Sequence, residues 1–147
     1  MVEFVSRRKI IAETLEELEK IAHHKLELMC IAADETKAHD IRALDVRGQT
    51  PLADYFVICT GTSVTHIKSI AENVQDKLRE ESKVRAKPQG GAESFWIILD
   101  YGDVILHIFD EETRGFYDLE RLWSEAIPID WNSAAEENKE VSTAAPN

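Results

Sequence analysis

Only two cysteines, Cys30 and Cys59, occur in 147 residues. Two thiols set among apolar neighbours do not staple a fold of this size, so both are expected reduced and packed in the core. No apolar run approaches the roughly 20 residues that span a bilayer. The first twenty residues mix both charges, unlike a secretory signal or a transit peptide. A soluble, cytoplasmic protein is the expectation. Basic residues are also scarce, with 17 Lys+Arg against 28 Asp+Glu and a net charge of −11. Such a surface repels nucleic-acid backbones, which disfavours a general nucleic-acid binder and favours a basic protein partner. Metal ligands are thin as well. The adjacent pair His23 and His24 would point about 100° apart on a helix, and with two distant cysteines no zinc site is expected.

What the chain does have is a 44% apolar content at a length that suits one core. Its negative charge is unevenly spread. Residues 93–125 carry nine acids against Arg114 and Arg121, a net of −7, and two of the three tryptophans. This stretch reads either as a solvated acidic face or as an acidic, aromatic docking surface.

Apolar periodicity predicts a helix over Ile10–His23 and a second over Leu26–Thr36. Asp40–Val46 and the continuous run Tyr55–Thr60 read as strands, the latter covered on both faces. Gly61-Thr62-Ser63 opens a helix over Val64–Glu81, with Ser63 or Thr62 capping it and Lys68 paired to Glu72 outside. Val84–Lys87 reads as a short strand and Pro88–Gly91 as a loop. Phe95–Leu99 and Val104–Phe109 form a hairpin around Asp100-Tyr101-Gly102-Asp103. Short helices follow near Asp110–Phe116 and Asp118–Trp123, with Leu119, Leu122 and Trp123 as core residues. The expected organisation is an N-terminal helical extension over 1–24, an α/β domain with a mixed β-sheet flanked by helices over 25–131, and an unfolded polar tail over 132–147.

Catalytic patterns are incomplete. Thr60-Gly61-Thr62-Ser63 lacks the second glycine and the lysine of a phosphate loop. A glycine–serine pair after a strand also invites a Mg²⁺-dependent nucleotidyltransferase reading. The acids that follow it, Glu72, Asp76, Glu80 and Glu81, fall on a helix face rather than on a neighbouring strand. No catalytic residue, metal ligand or cofactor is assigned. His107 shares a strand face with Ile105 and Phe109 and is expected as a hydrogen-bonded core histidine.

Four ordered segments carry a resemblance: Ala43–Val46, Asp54–Ser63, Trp96–Phe109 (Trp-Ile-Ile-Leu-Asp-Tyr-Gly-Asp-Val-Ile-Leu-His-Ile-Phe) and Arg114–Trp123 (Arg-Gly-Phe-Tyr-Asp-Leu-Glu-Arg-Leu-Trp). The chain resembles the ribosomal silencing factor, or Iojap-like, family over about Leu26 to Ser124. The N-terminal helix and the residues after Trp131 lie outside the resemblance. It implies a nucleotidyltransferase-like α/β sandwich without catalytic carboxylates, and a role as repressor rather than enzyme. It further implies binding to the large ribosomal subunit through basic ribosomal protein number fourteen on the intersubunit face, which would keep the small subunit from joining. A homodimer is known for some members. On this reading Trp96 is the docking anchor. Asp100, Asp103, Glu111 and Glu112 complement the partner's basic residues, and Arg114 and Tyr117 are contacts. The alternatives are a packing role for Trp96, a solvated face for the acids and an internal ion pair from Arg114 to Glu111 or Asp118.

Overall fold

The computed structural model describes residues 2–131, with side chains from Arg7 onward. The tail expected over 132–147 lies outside the described residues. The elements run α1 (Val2–Glu35), β1 (His39–Asp45), β2 (Tyr55–Thr60), α2 (Val64–Ser82), β3 (Lys87–Gly91), β4 (Trp96–Asp100), β5 (Val104–Phe109), α3 (Glu111–Tyr117), α4 (Leu119–Leu122) and β6 (Ile127–Ile129). One six-stranded mixed sheet has the order β3-β4-β5-β2-β1-β6. Its central pair, β2 and β5, is parallel, and every other pair is antiparallel. The expected mixed α/β architecture is present.

Strand alternation sends side chains to two unequal layers. Tyr55, Val57, Cys59, Val104, Leu106, Ile108 and Leu99 meet Leu26, Met29 and Cys30 of α1 and Ile67, Ile70, Val74 and Leu78 of α2 in the larger core. Both cysteines are buried there as free thiols. Leu44, Phe56, Ile58 and Phe109 face the other way into a smaller cluster, which Leu119 and Trp123 cover only in part. All six residues of β2 are buried, because both layers close over it. Two long helices therefore seal one side of the sheet, and two short ones only partly close the other.

Several local expectations are corrected. The two N-terminal helices are one, Val2–Glu35. His23-His24-Lys25 interrupts the apolar stripe, yet the segment holds no glycine or proline to stop the backbone. Pro88–Gly91 is not a loop but most of β3. Proline is admissible there because the strand lies at the sheet edge, paired only to β4. Of the strand expected over Val84–Lys87, only Lys87 is in β3, while Val84 and Ala86 pack against the larger core. The three-residue β6 was not foreseen, since Pro128 at its centre argues against a strand. Lys68 reaches Glu93 at 3.7 Å rather than Glu72. Leu122 is 69% exposed, not core, because the four-residue α4 turns it outward while Leu119 and Trp123 face the sheet.

Candidate functional site

The partly covered sheet face carries the aromatic residues of the acidic segment. Trp96 begins β4 and pairs in register with Phe109 at the end of β5. Its indole lies 4.8 Å from the Phe109 ring and 4.5 Å from Tyr117 of α3, centroid to centroid. The indole Nε1–H donates to His107 Nδ1 at 3.2 Å. His107 is buried, edge-on to Phe56 at 5.4 Å. Burial holds its pKa down to about 4, against an ordinary value of 6.5. The ring is therefore neutral at pH 7, with Nδ1 as acceptor. The expected hydrogen-bonded core histidine is present, and it fixes the orientation of Trp96.

Two backbone features aim this cluster. Phe95 has φ +60°, which turns the chain sharply into β4 and leaves its own ring 40% exposed. Gly90 (φ +74°) lets β3 approach closely, since a Cβ there would lie 2.5 Å from the Trp96 carbonyl oxygen. Asp110 caps α3 by accepting from Thr113 N–H at 2.9 Å, and that short helix presents Tyr117 and Phe116. Phe116 is 81% exposed and stands edge-on to Tyr117 at 5.1 Å. Phe95 and Phe116 were not singled out from the sequence. The available signal was two aromatics beside Trp96 and Tyr117 in a segment otherwise rich in acid.

The other candidate residues are distributed unequally. Glu111 and Glu112 are exposed in the first turn of α3, directly after Phe109. Asp100 and Asp103 lie at the opposite end of the β4–β5 hairpin, about 13 Å along the strand from Trp96. Asp100 accepts from Gly102 N–H at 2.8 Å, and Asp103 pairs with Lys25 of α1 at 3.1 Å. Asp100 thus serves the hairpin turn, and Asp103 ties the hairpin to α1. Arg114 is turned inward and buried. Its Nη1 donates to Thr60 Oγ1 (2.7 Å) and the Asp40 carbonyl (2.8 Å), and its Nε donates to Glu120 (2.7 Å). The internal ion pairs are thus with Glu120 and, at 3.5 Å, with the Asp40 carboxylate rather than with Glu111 or Asp118, and the guanidinium is turned away from the surface.

A cavity of about 540 Å³ opens at the end of the parallel strands, lined by His39, Thr60, Gly61, Thr62, Asp110, Glu111 and Glu112. Its lining includes no lysine or arginine, and three carboxylates there repel a triphosphate. Among the described residues no group of histidine, cysteine or carboxylate side chains could hold a metal ion. Gly61 has a packing role, because a Cβ would sit 2.7 Å from Ile67 Cγ1. Ser63 caps α2 through His66 N–H at 3.0 Å. Among the described residues, Gly61 and Ser63 are thus accounted for by packing and helix capping.

Residues 19–147 match the family described as ribosomal silencing factor during starvation. The chain belongs to the ribosomal silencing factor family. The match continues past Ser124, where the recognisable motifs end. A ribosomal silencing factor of Bacillus subtilis is 39% identical over 101 residues, covering 69% of this chain and 86% of that protein. The chloroplastic Iojap protein of Zea mays is 36% identical over 99 residues, covering 67% of this chain and 43% of that one. A crystal structure from Chromobacterium violaceum superposes with a TM-score of 0.66 at 32% identity, covering 69% of this chain and 85% of that one. This chain thus shares its family with a protein named as a ribosomal silencing factor. Among its described residues no helix is long and apolar enough to cross a membrane.

Proposed function

We propose that this ribosomal silencing factor binds the large ribosomal subunit through a basic ribosomal protein on the intersubunit face, the fourteenth of that subunit. Occupying that face blocks small-subunit joining and represses translation. The observation that carries the reading is the aromatic cluster Trp96, Tyr117 and Phe116 on the thinly covered sheet face, half-buried at Trp96 and exposed at the other two. The exposed Phe95 is next to Trp96 in the chain, and the exposed acids Glu93, Glu111 and Glu112 lie in the adjoining segments. Aromatic side chains held rigidly on an exposed surface are the usual anchors of protein interfaces. Carboxylates beside them speed encounter with a basic partner and set its register. A mouse relative is named for mitochondrial assembly of the ribosomal large subunit, which supports the choice of subunit.

Within this reading Trp96 and Tyr117 are the anchor, Phe95 and Phe116 extend it, and Glu111 and Glu112 form the acidic rim. Asp100 and Asp103 stand apart at the far end of the hairpin. Co-sedimentation of the full chain with purified large subunits tests the proposal, alongside light scattering of subunit joining. Wild type is expected to pellet with the large subunit and to slow joining, with binding that weakens as salt rises. Phe116→Ala, which removes an exposed ring and no core contact, is expected to weaken binding about tenfold or more. Absence of wild-type binding would sink the function. Equal binding by Phe116→Ala and Trp96→Ala would sink the assigned surface.

A further inference from the structure

In this acidic chain Lys25, Arg47, Lys77 and Arg114 each sit beside a carboxylate. Lys83, Arg85 and Lys87 do not. All three are exposed, and none pairs with a carboxylate among the described residues. They belong to a stretch, residues 82–92, that holds three bases and no acid in a chain of net charge −11. Packing sets their arrangement. Lys83 ends α2 in a left-handed conformation (φ +58°), its N–H donating to the Leu78 carbonyl, which fixes where the run begins. Val84 and Ala86 then pack against the larger core, so Arg85 and Lys87 turn outward along the β3 edge of the sheet. In an extended chain these two residues stand about 7 Å apart, close to the separation of neighbouring phosphates on one nucleic-acid strand. Asp100 faces Lys87 across the strand pair, but its carboxylate is turned to the Gly102 N–H. Beside this edge lies a hollow of about 200 Å³, lined by Gln75 and Arg79 of α2 and by Val84, Arg85 and Ala86. The lining holds two arginines and no carboxylate, although Asp76 takes one Arg79 nitrogen at 2.8 Å. Guanidinium groups from two elements around one hollow suit a phosphate, whose oxygens match their planar fork. Lysine and proline on an edge strand also guard against addition of another strand. That accounts for Lys87 and Pro88, but not for a hollow between two arginines.

We propose that this basic edge binds backbone phosphates of ribosomal RNA on the large subunit, beside the protein taken by the Trp96 face. The inference rests on the proposed large-subunit binding and adds RNA as a second partner. The strand order gives the two partners separate places. Gly91 pairs with Trp96 and Lys87 with Asp100, so the basic edge lies one strand over from the anchor and runs away from it. Glu111 and Glu112 follow β5, on the other side of β4. One flank of the anchor is therefore acidic and suits a basic protein, and the other is basic and suits phosphate. The net charge of −11 opposes extensive contact with RNA, whereas two or three phosphates met at one edge release counterions without drawing the acidic remainder close. Such contacts carry no base readout; they fix register and orientation.

Co-sedimentation of the full chain with purified large subunits over roughly 50–200 mM salt tests this. Arg85→Glu combined with Lys87→Glu should weaken binding about tenfold or more and flatten the log–log salt slope by about 2. Lys9→Glu combined with Lys20→Glu alters net charge equally on α1 and should bind as wild type does. Both pairs change exposed side chains only, so the urea unfolding midpoint should stay at the wild-type value. For the identity of the partner, a photoreactive aryl azide attached to an Arg85→Cys chain should join large-subunit RNA. Cys30 and Cys59 are buried, so only the new thiol takes the label. Unchanged binding by the Arg85 and Lys87 variant, equal weakening by the α1 variant, or joining from position 85 to protein alone would each overturn the RNA contact while the docking function stands. A wild type that fails to pellet would sink the docking function itself, and the RNA contact with it.

Discussion

His107 makes stability, and with it the docking surface, dependent on pH. Folded, its imidazole titrates near 4 because burial excludes the charged form; unfolded, it returns to about 6.5. Between those values the unfolded chain takes up a proton that the folded chain refuses. Stability is therefore fully present above about pH 6.5 and falls as pH falls towards 4. Integrating one site between pH 7 and pH 4.5 gives about 2 kcal/mol lost. With a urea slope of about 2 kcal/mol/M for a domain of this size, the midpoint should drop by roughly 1 M. The measurement is urea unfolding at pH 7.0, 5.5 and 4.5, on wild type and on His107→Gln, whose amide accepts from Trp96 without titrating. Subtracting the variant's profile removes the other histidines and the carboxylates. The difference should grow steadily as pH falls through this window. Parallel profiles would refute the reasoning, because His107 would then bind protons equally in both states. Protonation of the folded ring, which sets in only as pH approaches about 4, also replaces the Nδ1 acceptor with a donor aimed at the Trp96 N–H, so subunit binding by the folded chain should weaken there and not near pH 6.

Replacing Arg114 with Gln should cost about 3 kcal/mol in chemical denaturation, since Thr60, the Asp40 carbonyl and Glu120 lose a shared buried donor; a cost below 1 kcal/mol would show that these contacts are dispensable. Gly90→Ala should destabilise by about 2 kcal/mol through its left-handed backbone and its approach to the Trp96 carbonyl, and the change should also shift tryptophan fluorescence. Burial pushes the Cys59 thiol up to about 12 and that of Cys30 well above its ordinary value, so neither should react with a thiol reagent at pH 8 until the chain unfolds. Fast native-state labelling would contradict that packing.

The central framework was legible because β2, β4, β5 and α2 announce themselves locally. Tyr55–Thr60 is one β-favouring run, the β4–β5 turn contains Gly102, and α2 has both a serine cap and a 3.6-residue stripe. What stayed hidden depends on partners distant in sequence. Lys87–Gly91 is a strand only because β4 offers it an edge, and Ile127–Ile129 only because β1 does. The resemblance implies Arg114 as a contact, with an internal ion pair as the alternative, and no local pattern decides between them. Thr60 and the Asp40 carbonyl, 54 and 74 residues away in sequence, draw it inward. Trp96 could be named from its motif, but its setting could not: the His107 acceptor and the Gly90 approach exist only after β3, β4 and β5 pair.

The unequal coverage of the sheet connects these observations. A sheet with a long helix on each side would bury Trp96 completely, as its neighbour Phe109 already is. Here both long helices lie on one side, and the other receives only α3 and α4, seven and four residues long. That is enough to cover Phe56 and Ile58 over the middle strands, but not the start of β4. The aromatics at that corner are consequently fixed from beneath and open above, as a rigid anchor requires. The inward turn of Arg114 serves the same end. By tying α3 to β1, β2 and α4, it holds the helix that presents Phe116 and Tyr117. Losing Arg114 should therefore weaken docking beyond its effect on stability. Binding measured at equal folded fraction separates that positioning role from simple destabilisation.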